Sequence, residues 1–112
     1  MSVRTNQTFA TVSCAGSAPD ITAAATTAWP AGGFAGGVIS VPGGSTITSL
    51  TFYHCDTEGG TYQPLHDSSG TAVTMTVAAG NSYVQPNDIN PASWVKVLAN
   101  AAEDIQWLGK TL

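Results

Sequence analysis

Apolar and polar residues alternate along the middle of the chain. Between residues 71 and 77, Val73, Met75 and Val77 alternate with alanine and threonine, and this period of two is typical of a half-buried β-strand. Residues 45–87 as a whole contain four runs rich in Thr, Val, Tyr and Phe, separated by clusters of Gly, Asp, Ser and Asn. This arrangement predicts an antiparallel meander of four strands.

The pattern also predicts strands before the meander. Residues 8–14 alternate with one irregularity, which indicates a first strand with a bulge. Residues 21–27 fit a strand or a helix, and we predict a strand because Pro19 and Pro30 flank a segment that lacks long helix-forming side chains. A short strand is predicted over residues 38–41.

After the meander, residues 93–99 and 104–110 are predicted to form a terminal hairpin. The total is eight or nine short strands at about ten-residue spacing, with turn residues between them, and no convincing helix. We therefore predict an all-β fold, a single antiparallel, jelly-roll-like sandwich over residues 8–112. Residues 1–7 are polar and aperiodic, which predicts a flexible N-terminal arm that becomes ordered only against another surface.

The glycine-rich segment Trp29–Gly37 contains two aromatic residues and allows two interpretations. In the first, Trp29 and Phe34 close one end of the core, as buried aromatic residues commonly do. In the second, the segment is an exposed contact loop, because a flexible backbone with large aromatic side chains is typical of interface anchors.

Composition narrows the function classes. The 112 residues fit one domain, and only 9% are charged, against about 25% in typical soluble domains. The net charge is −4 and the cations are Arg4, Lys96 and Lys110, so no basic cluster is available to bind nucleic acid.

The N-terminus lacks the apolar segment of a signal peptide, and no apolar run is long enough to span a membrane. We expect synthesis in a cytoplasm.

The residues that could carry chemistry are few. The candidate zinc ligands are His54, Cys55 and His66. Neighbouring strand residues such as His54 and Cys55 point to opposite faces, however, and two histidines leave the ligand set incomplete. Cys55 has no cationic neighbour to activate it as a nucleophile. The composition of Asp56–Gly60 favours a hairpin turn over a calcium-binding loop. We predict no catalytic residue, no metal site and no cofactor. Cys14 and Cys55 could form a disulfide if the first strand lies beside residues 50–55, but in a cytoplasm we expect two free thiols.

A family resemblance lies within residues 45–99. Its motifs are Ser49-Leu-Thr-Phe-Tyr53, Gly60-Thr-Tyr-Gln-Pro-Leu65, Ala78-Ala-Gly-Asn-Ser-Tyr83 and Trp94-Val-Lys-Val97. This region resembles the head decoration (cement) proteins of tailed phages, small β domains encoded beside the major capsid gene. The resemblance implies a structural virion protein, without enzymatic activity, that binds the major capsid protein on the capsid surface as a homotrimer.

Outside that region, we predict that partner binding involves the arm, with Arg4 as its one charge, and the glycine-rich loop, through Trp29 and Phe34. Nucleic acid and membrane are not expected partners. A weaker resemblance to galactose-binding jelly rolls implies a carbohydrate-binding module as the alternative, with Trp29, Phe34 and Tyr62 as candidate sugar platforms. A component of a phage tail or fibre is a further hypothesis, close to that of a head decoration protein.

Overall fold

The computed structural model describes residues 7–23 and 25–111, which form two stacked antiparallel sheets. The strands are β1 (Gln7–Ser13), β2 (Gly36–Ser40), β3 (Ser49–Cys55), β4 (Gln63–Pro64), β5 (Thr74–Thr76), β6 (Ser82–Val84), β7 (Trp94–Ala99) and β8 (Asp104–Lys110). Short 3-10 turns occur at Ala18–Thr22, Ala31–Gly33 and Asn87–Ile89. The predicted all-β sandwich of eight or nine strands is confirmed. Within the described ranges, no helix is long and apolar enough to cross a membrane.

The first sheet has the strand order β1-β8-β2-β6. The second sheet is centred on β3, which pairs with β7, β4 and β5. Because β5 and β7 both pair with Leu50 and Thr51, they must lie on opposite edges of β3. The same argument at Tyr53 and His54 places β4 opposite β7, so β4 and β5 share one edge, end to end.

The predicted meander and the predicted terminal hairpin both differ from the structure. The meander over residues 45–87 is broken, because β5 pairs with β3 on the same edge as β4, and β6 leaves the second sheet and pairs with β2 in the first. The terminal hairpin is also wrong, because β7 and β8 belong to opposite sheets. Both strands bury alternate apolar side chains, and in a sandwich such faces meet by stacking across the core rather than side by side.

Two local predictions also need correction. Residues 21–23 and 25–27, the described part of the segment predicted as a strand, contain no strand. Ala18–Thr22 is a 3-10 turn with Pro19 near its start, where a proline is well accommodated. Its one long apolar side chain, Ile21, is buried. The strand predicted from residue 8 begins at Gln7, which pairs with Lys110, and its register is continuous rather than bulged.

Stacked aromatic rings fill the space between the sheets. The Trp107 ring lies 5.3 Å from that of Trp29 and meets Phe52 edge-on at 5.9 Å. Buried at this depth, the indole N–H of Trp107 needs an acceptor, and it donates to Oε1 of Gln85 over 2.9 Å. The Gln85 amide in turn donates to Oδ1 of Asn90 over 2.9 Å, so this buried polar chain is satisfied.

The corner between β7 and β8 is held by Glu103. Its carboxylate accepts hydrogen bonds from the Thr46 hydroxyl, the Thr46 amide and the Ser45 hydroxyl. These bonds favour the charged form and lower the pKa of Glu103 from its ordinary value of 4.5. The turn between the two sheets is thereby tied to the segment that leads into β3.

We expect a Glu103→Gln variant to lose stability at neutral pH but not in acid. A carboxyl whose pKa is lower in the folded state stabilises the fold above the unfolded pKa, and this contribution disappears as pH falls through the folded pKa. The difference in urea midpoint between wild type and variant should therefore be largest near pH 7 and shrink towards pH 3. A difference that stays constant across this range would contradict the assignment.

Candidate interface on the outer face of the first sheet

Trp29 belongs to the core and not to an exposed contact loop. Its side chain is 2% exposed and stacks on Phe34 at 5.1 Å, in addition to Trp107. Its backbone exchanges two hydrogen bonds with Val95, which covers the outer edge of β7. Of the two interpretations of the loop, the first is therefore right for Trp29. Arg4 and residues 1–6 of the predicted arm lie outside the described residues.

Phe34 is half-buried and lies over Gly109. A Cβ atom at Gly109 would be 2.5 Å from the Phe34 ring, so only glycine leaves room for this packing. Tyr62 is 8% exposed, and its hydroxyl donates to the carbonyl of Glu58. Neither Trp29 nor Tyr62 presents a ring face to solvent, as a sugar platform requires.

The histidines and cysteines are not gathered into one site. His54 lies 3.6 Å from the Asp56 carboxylate, whereas His66 contacts the carbonyl of Pro64 two residues away. No group of three metal-binding side chains occurs in the part of the chain that the structure describes. Cys14 and Cys55 are free thiols, as expected. Burial, assisted by the Asp104 and Glu103 carboxylates, raises the pKa of Cys14 to about 12, so this thiol stays protonated.

The outer face of the second sheet is covered by the chain itself on the side of β7, whereas Thr74 and Thr76 on β5 are exposed. Ile21 and Ala15 pack there with Tyr62 in a small second apolar cluster. Beneath this cover, the ammonium group of Lys96 donates to the carbonyls of Ile21 and Ala23 over 2.9 and 3.4 Å, and it lies 4.9 Å from the centre of the Tyr62 ring. A groove of about 710 Å³ passes beside it, but the ammonium group is already engaged and acts as a structural clamp.

None of the described residues covers the outer face of the first sheet in this way, and an apolar row crosses that face from edge to edge. The pairings of the four strands align Phe9, Leu108, Val38 and Val84 in order. The central two are half-buried, whereas Phe9 is 65% and Val84 78% exposed. These two are the large apolar side chains that stand exposed in the described chain, and they lie at opposite ends of the same row. A shallow hollow of about 310 Å³ adjoins the row at Gly36 and Gly37.

The next row is polar, and its side chains satisfy one another. Thr11 and Gln106 exchange side-chain hydrogen bonds, and the hydroxyls of Ser40 and Ser82 lie 2.7 Å apart. Removing a polar group from water costs less free energy when the group already has a hydrogen-bond partner than when it is unpaired. Together with the apolar row, this forms a neutral platform that suits contact with another protein surface.

Compared with protein-family models, curated proteins and solved structures, the chain matches none of them.

The sequence alone does not indicate Phe9 or Val84 as contact residues. For Phe9 a signal was present: it has the same parity as Thr11 and Ser13, opposite to Val12 and Cys14, so it had to lie on the polar face of its strand. For Val84 the strand was too short to give a comparable signal.

Proposed function

We propose that this protein is a structural virion protein that decorates a phage head by binding the major capsid protein. The resemblance within residues 45–99 supports this reading. The observation that carries it is the outer face of the first sheet, which no described residue covers and which combines an apolar row with polar side chains that hydrogen-bond one another. Such a surface provides contact area and no chemistry, which is what a capsid-stabilising protein requires.

The charge distribution is consistent with docking through this face. Acidic residues account for seven of the 112 positions, and on the paired strands of this sheet the one acid is Asp104, at the start of β8. A low density of charge at the centre of a contact is typical of protein interfaces. Binding of many copies, arranged as homotrimers around lattice axes, would let modest individual contacts sum to strong stabilisation of the head.

Co-sedimentation with empty heads tests this proposal. The heads are assembled from the major capsid protein of the same genome, and three proteins are compared: wild type, Ser40→Glu on the proposed face, and Thr74→Glu on β5 of the other sheet. We expect wild type and Thr74→Glu to pellet with the heads. Ser40→Glu should bind at least about tenfold more weakly, because an unpaired charge would be buried at the contact.

The possible outcomes test the choice of contact surface and the decoration function separately. Equal binding of Ser40→Glu and wild type would show that another surface makes the contact. If wild type fails to sediment with heads at saturating concentration, the decoration function itself is refuted.

A further inference from the structure

We propose that copies of this protein associate head to tail, with β1 of one copy adding to β6 of the next and Phe9 packing against Val84. This contact continues the first sheet from one copy into another. This contact would join neighbouring subunits of the proposed homo-oligomer, and to that extent the inference rests on the proposed function.

The free edge of β1 offers unpaired backbone groups. Cys14 donates its amide to Glu103, and the backbone groups of Ser13 turn the other way and bond Thr27. Alternation along the strand then directs the amides and carbonyls of Phe9 and Thr11 away from β8. Among residues 7–23 and 25–111, no partner meets these groups.

The free edge of β6 offers the complementary set. Gln85 donates its amide to Gly37, and the carbonyl of Asn81 accepts from Val41, so odd-numbered residues of this segment face β2. The backbone groups of Ser82 and Val84 therefore point outward from the sheet.

The two edges match in direction and in register. Each neighbouring pair in the order β1-β8-β2-β6 is antiparallel, so β1 and β6 run in opposite directions, and a copy placed alongside presents an antiparallel edge. Phe9 shares a row with Val84, and Thr11 shares the next row with Ser82. Placing Phe9 opposite Val84 thus also aligns Thr11 with Ser82, and two such pairs exchange about four backbone hydrogen bonds.

The other edges are protected in ways that β1 is not. The outer edge of β7 is covered by Ala15 and Trp29. The opposite edge of the second sheet is interrupted between β4 and β5, and β4 contains Pro64. In contrast, β1 has seven residues without proline, lysine or bulge. Before its Ser13 end, which bonds Thr27, its edge is open in the described chain, and an open edge of this kind readily pairs with another strand.

Charge favours a second copy as the occupant. Neither β1 nor β6 contains a charged residue, so two molecules of net charge −4 meet without opposing carboxylates along the joint. Lys110 is exposed on β8, beside the Gln7 end of β1, and Asp88 is exposed in the turn that follows β6. Head-to-tail addition brings this positive end of one copy towards the negative end of the next.

The joint is small, because it uses two or three residues from each edge. Stable, specific interfaces bury about 1,200–2,000 Å² in total, so we expect weak, concentration-dependent association in dilute solution. A head-to-tail contact closes into a ring where its rotation permits and otherwise continues as a filament. On a capsid, neighbouring copies are held at high local concentration, and the same joint becomes effective.

Two capping variants test the geometry, in the absence of heads, by sedimentation velocity over a concentration series up to about 1 mM. Phe9→Lys blocks the β1 side of the joint and Val84→Lys blocks the β6 side, and both positions are exposed enough to keep the fold. We expect wild type and a Thr74→Lys control to associate, and each capping variant alone to stay monomeric. A 1:1 mixture of the two variants should form dimers and nothing larger, since one intact joint remains per pair.

Each result decides for or against the proposal. A Val84→Lys variant that associates like wild type would indicate a symmetric β1–β1 contact and overturn the head-to-tail joint, as would a mixture that stays monomeric. Amide exchange at Phe9, Thr11, Ser82 and Val84 should slow as wild-type concentration rises, and unchanged exchange would count against strand addition. Wild type that binds heads yet stays monomeric refutes this proposal alone, whereas wild type that associates without binding heads refutes the decoration function alone.

Discussion

Replacing Trp107 with alanine is expected to lower the free energy of unfolding by about 3–5 kcal/mol, the usual range for deleting a large buried aromatic side chain. Trp107 is fully buried and contacts both Trp29 and Phe52, so its removal leaves a cavity between the sheets that β-strand backbones cannot close. Small domains are stable by about 5–15 kcal/mol, and the variant should therefore be close to unfolding at 37 °C. Urea unfolding followed by circular dichroism measures the loss.

A conservative replacement separates packing from hydrogen bonding at the same position. Trp107→Phe retains an aromatic ring but removes the N–H that bonds Gln85, and an unpaired buried acceptor costs about 1–3 kcal/mol. Trp94→Ala, on the half-buried face of β7, should be less destabilising than Trp107→Ala. A loss below about 1 kcal/mol for Trp107→Ala would mean that the aromatic stack is not the centre of the core.

Alternation in the sequence predicted which side chains face the core. Val73 and Val77 are buried, as are Val95 and Val97, on the faces that their parity indicates. A strand with one face buried and the other face in water has this period of two whatever its neighbours are. The strands could therefore be predicted without knowledge of the strands that pair with them. Fold class follows from the number and spacing of such strands.

Strand pairing could not be predicted in the same way. Alternation fixes the buried face of a strand, but it does not identify the neighbouring strand, and this is why β6 and the β7–β8 pair were assigned wrongly. The pairing of Gln7 with Lys110 joins the two ends of the chain, and no local pattern encodes a contact over that separation. The edge-to-edge apolar row depends on three such registers and becomes visible only in the folded structure.

The burial of Trp29 and Lys96 could likewise not be predicted from the local sequence pattern. A glycine-rich segment with aromatic residues fits both a core plug and a contact loop, and the outcome depends on β7 having a bare edge for Trp29 to pair with. Lys96 lies on the outer face of β7, beside Trp94 and Leu98, and the Ala18–Thr22 turn folds over that face and buries it. Contacts supplied by a distant segment decided both cases.

Replacing Lys96 with methionine tests whether this buried cation stabilises the fold. The side chain is 8% exposed, and the carbonyls of Ile21 and Ala23 accept its hydrogen bonds. Two opposing effects compete. Removing a buried charge relieves its desolvation, whereas loss of the ammonium group leaves two carbonyls without a donor, at about 1–3 kcal/mol for a buried acceptor.

We expect the second effect to dominate, because the ammonium group also holds the turn that covers the outer face of the second sheet. Ile21 packs in that cover, and its position depends on the bond from Lys96 to its own carbonyl. Lys96→Met should lower the free energy of unfolding by about 1–3 kcal/mol, while Lys110→Met, at an exposed position, should change it by less than about 0.5 kcal/mol. Urea unfolding of both variants at pH 7 makes the comparison. If Lys96→Met is as stable as wild type, the cost of burying the charge offsets its bonds, and the turn is held by the packing of Ile21 alone.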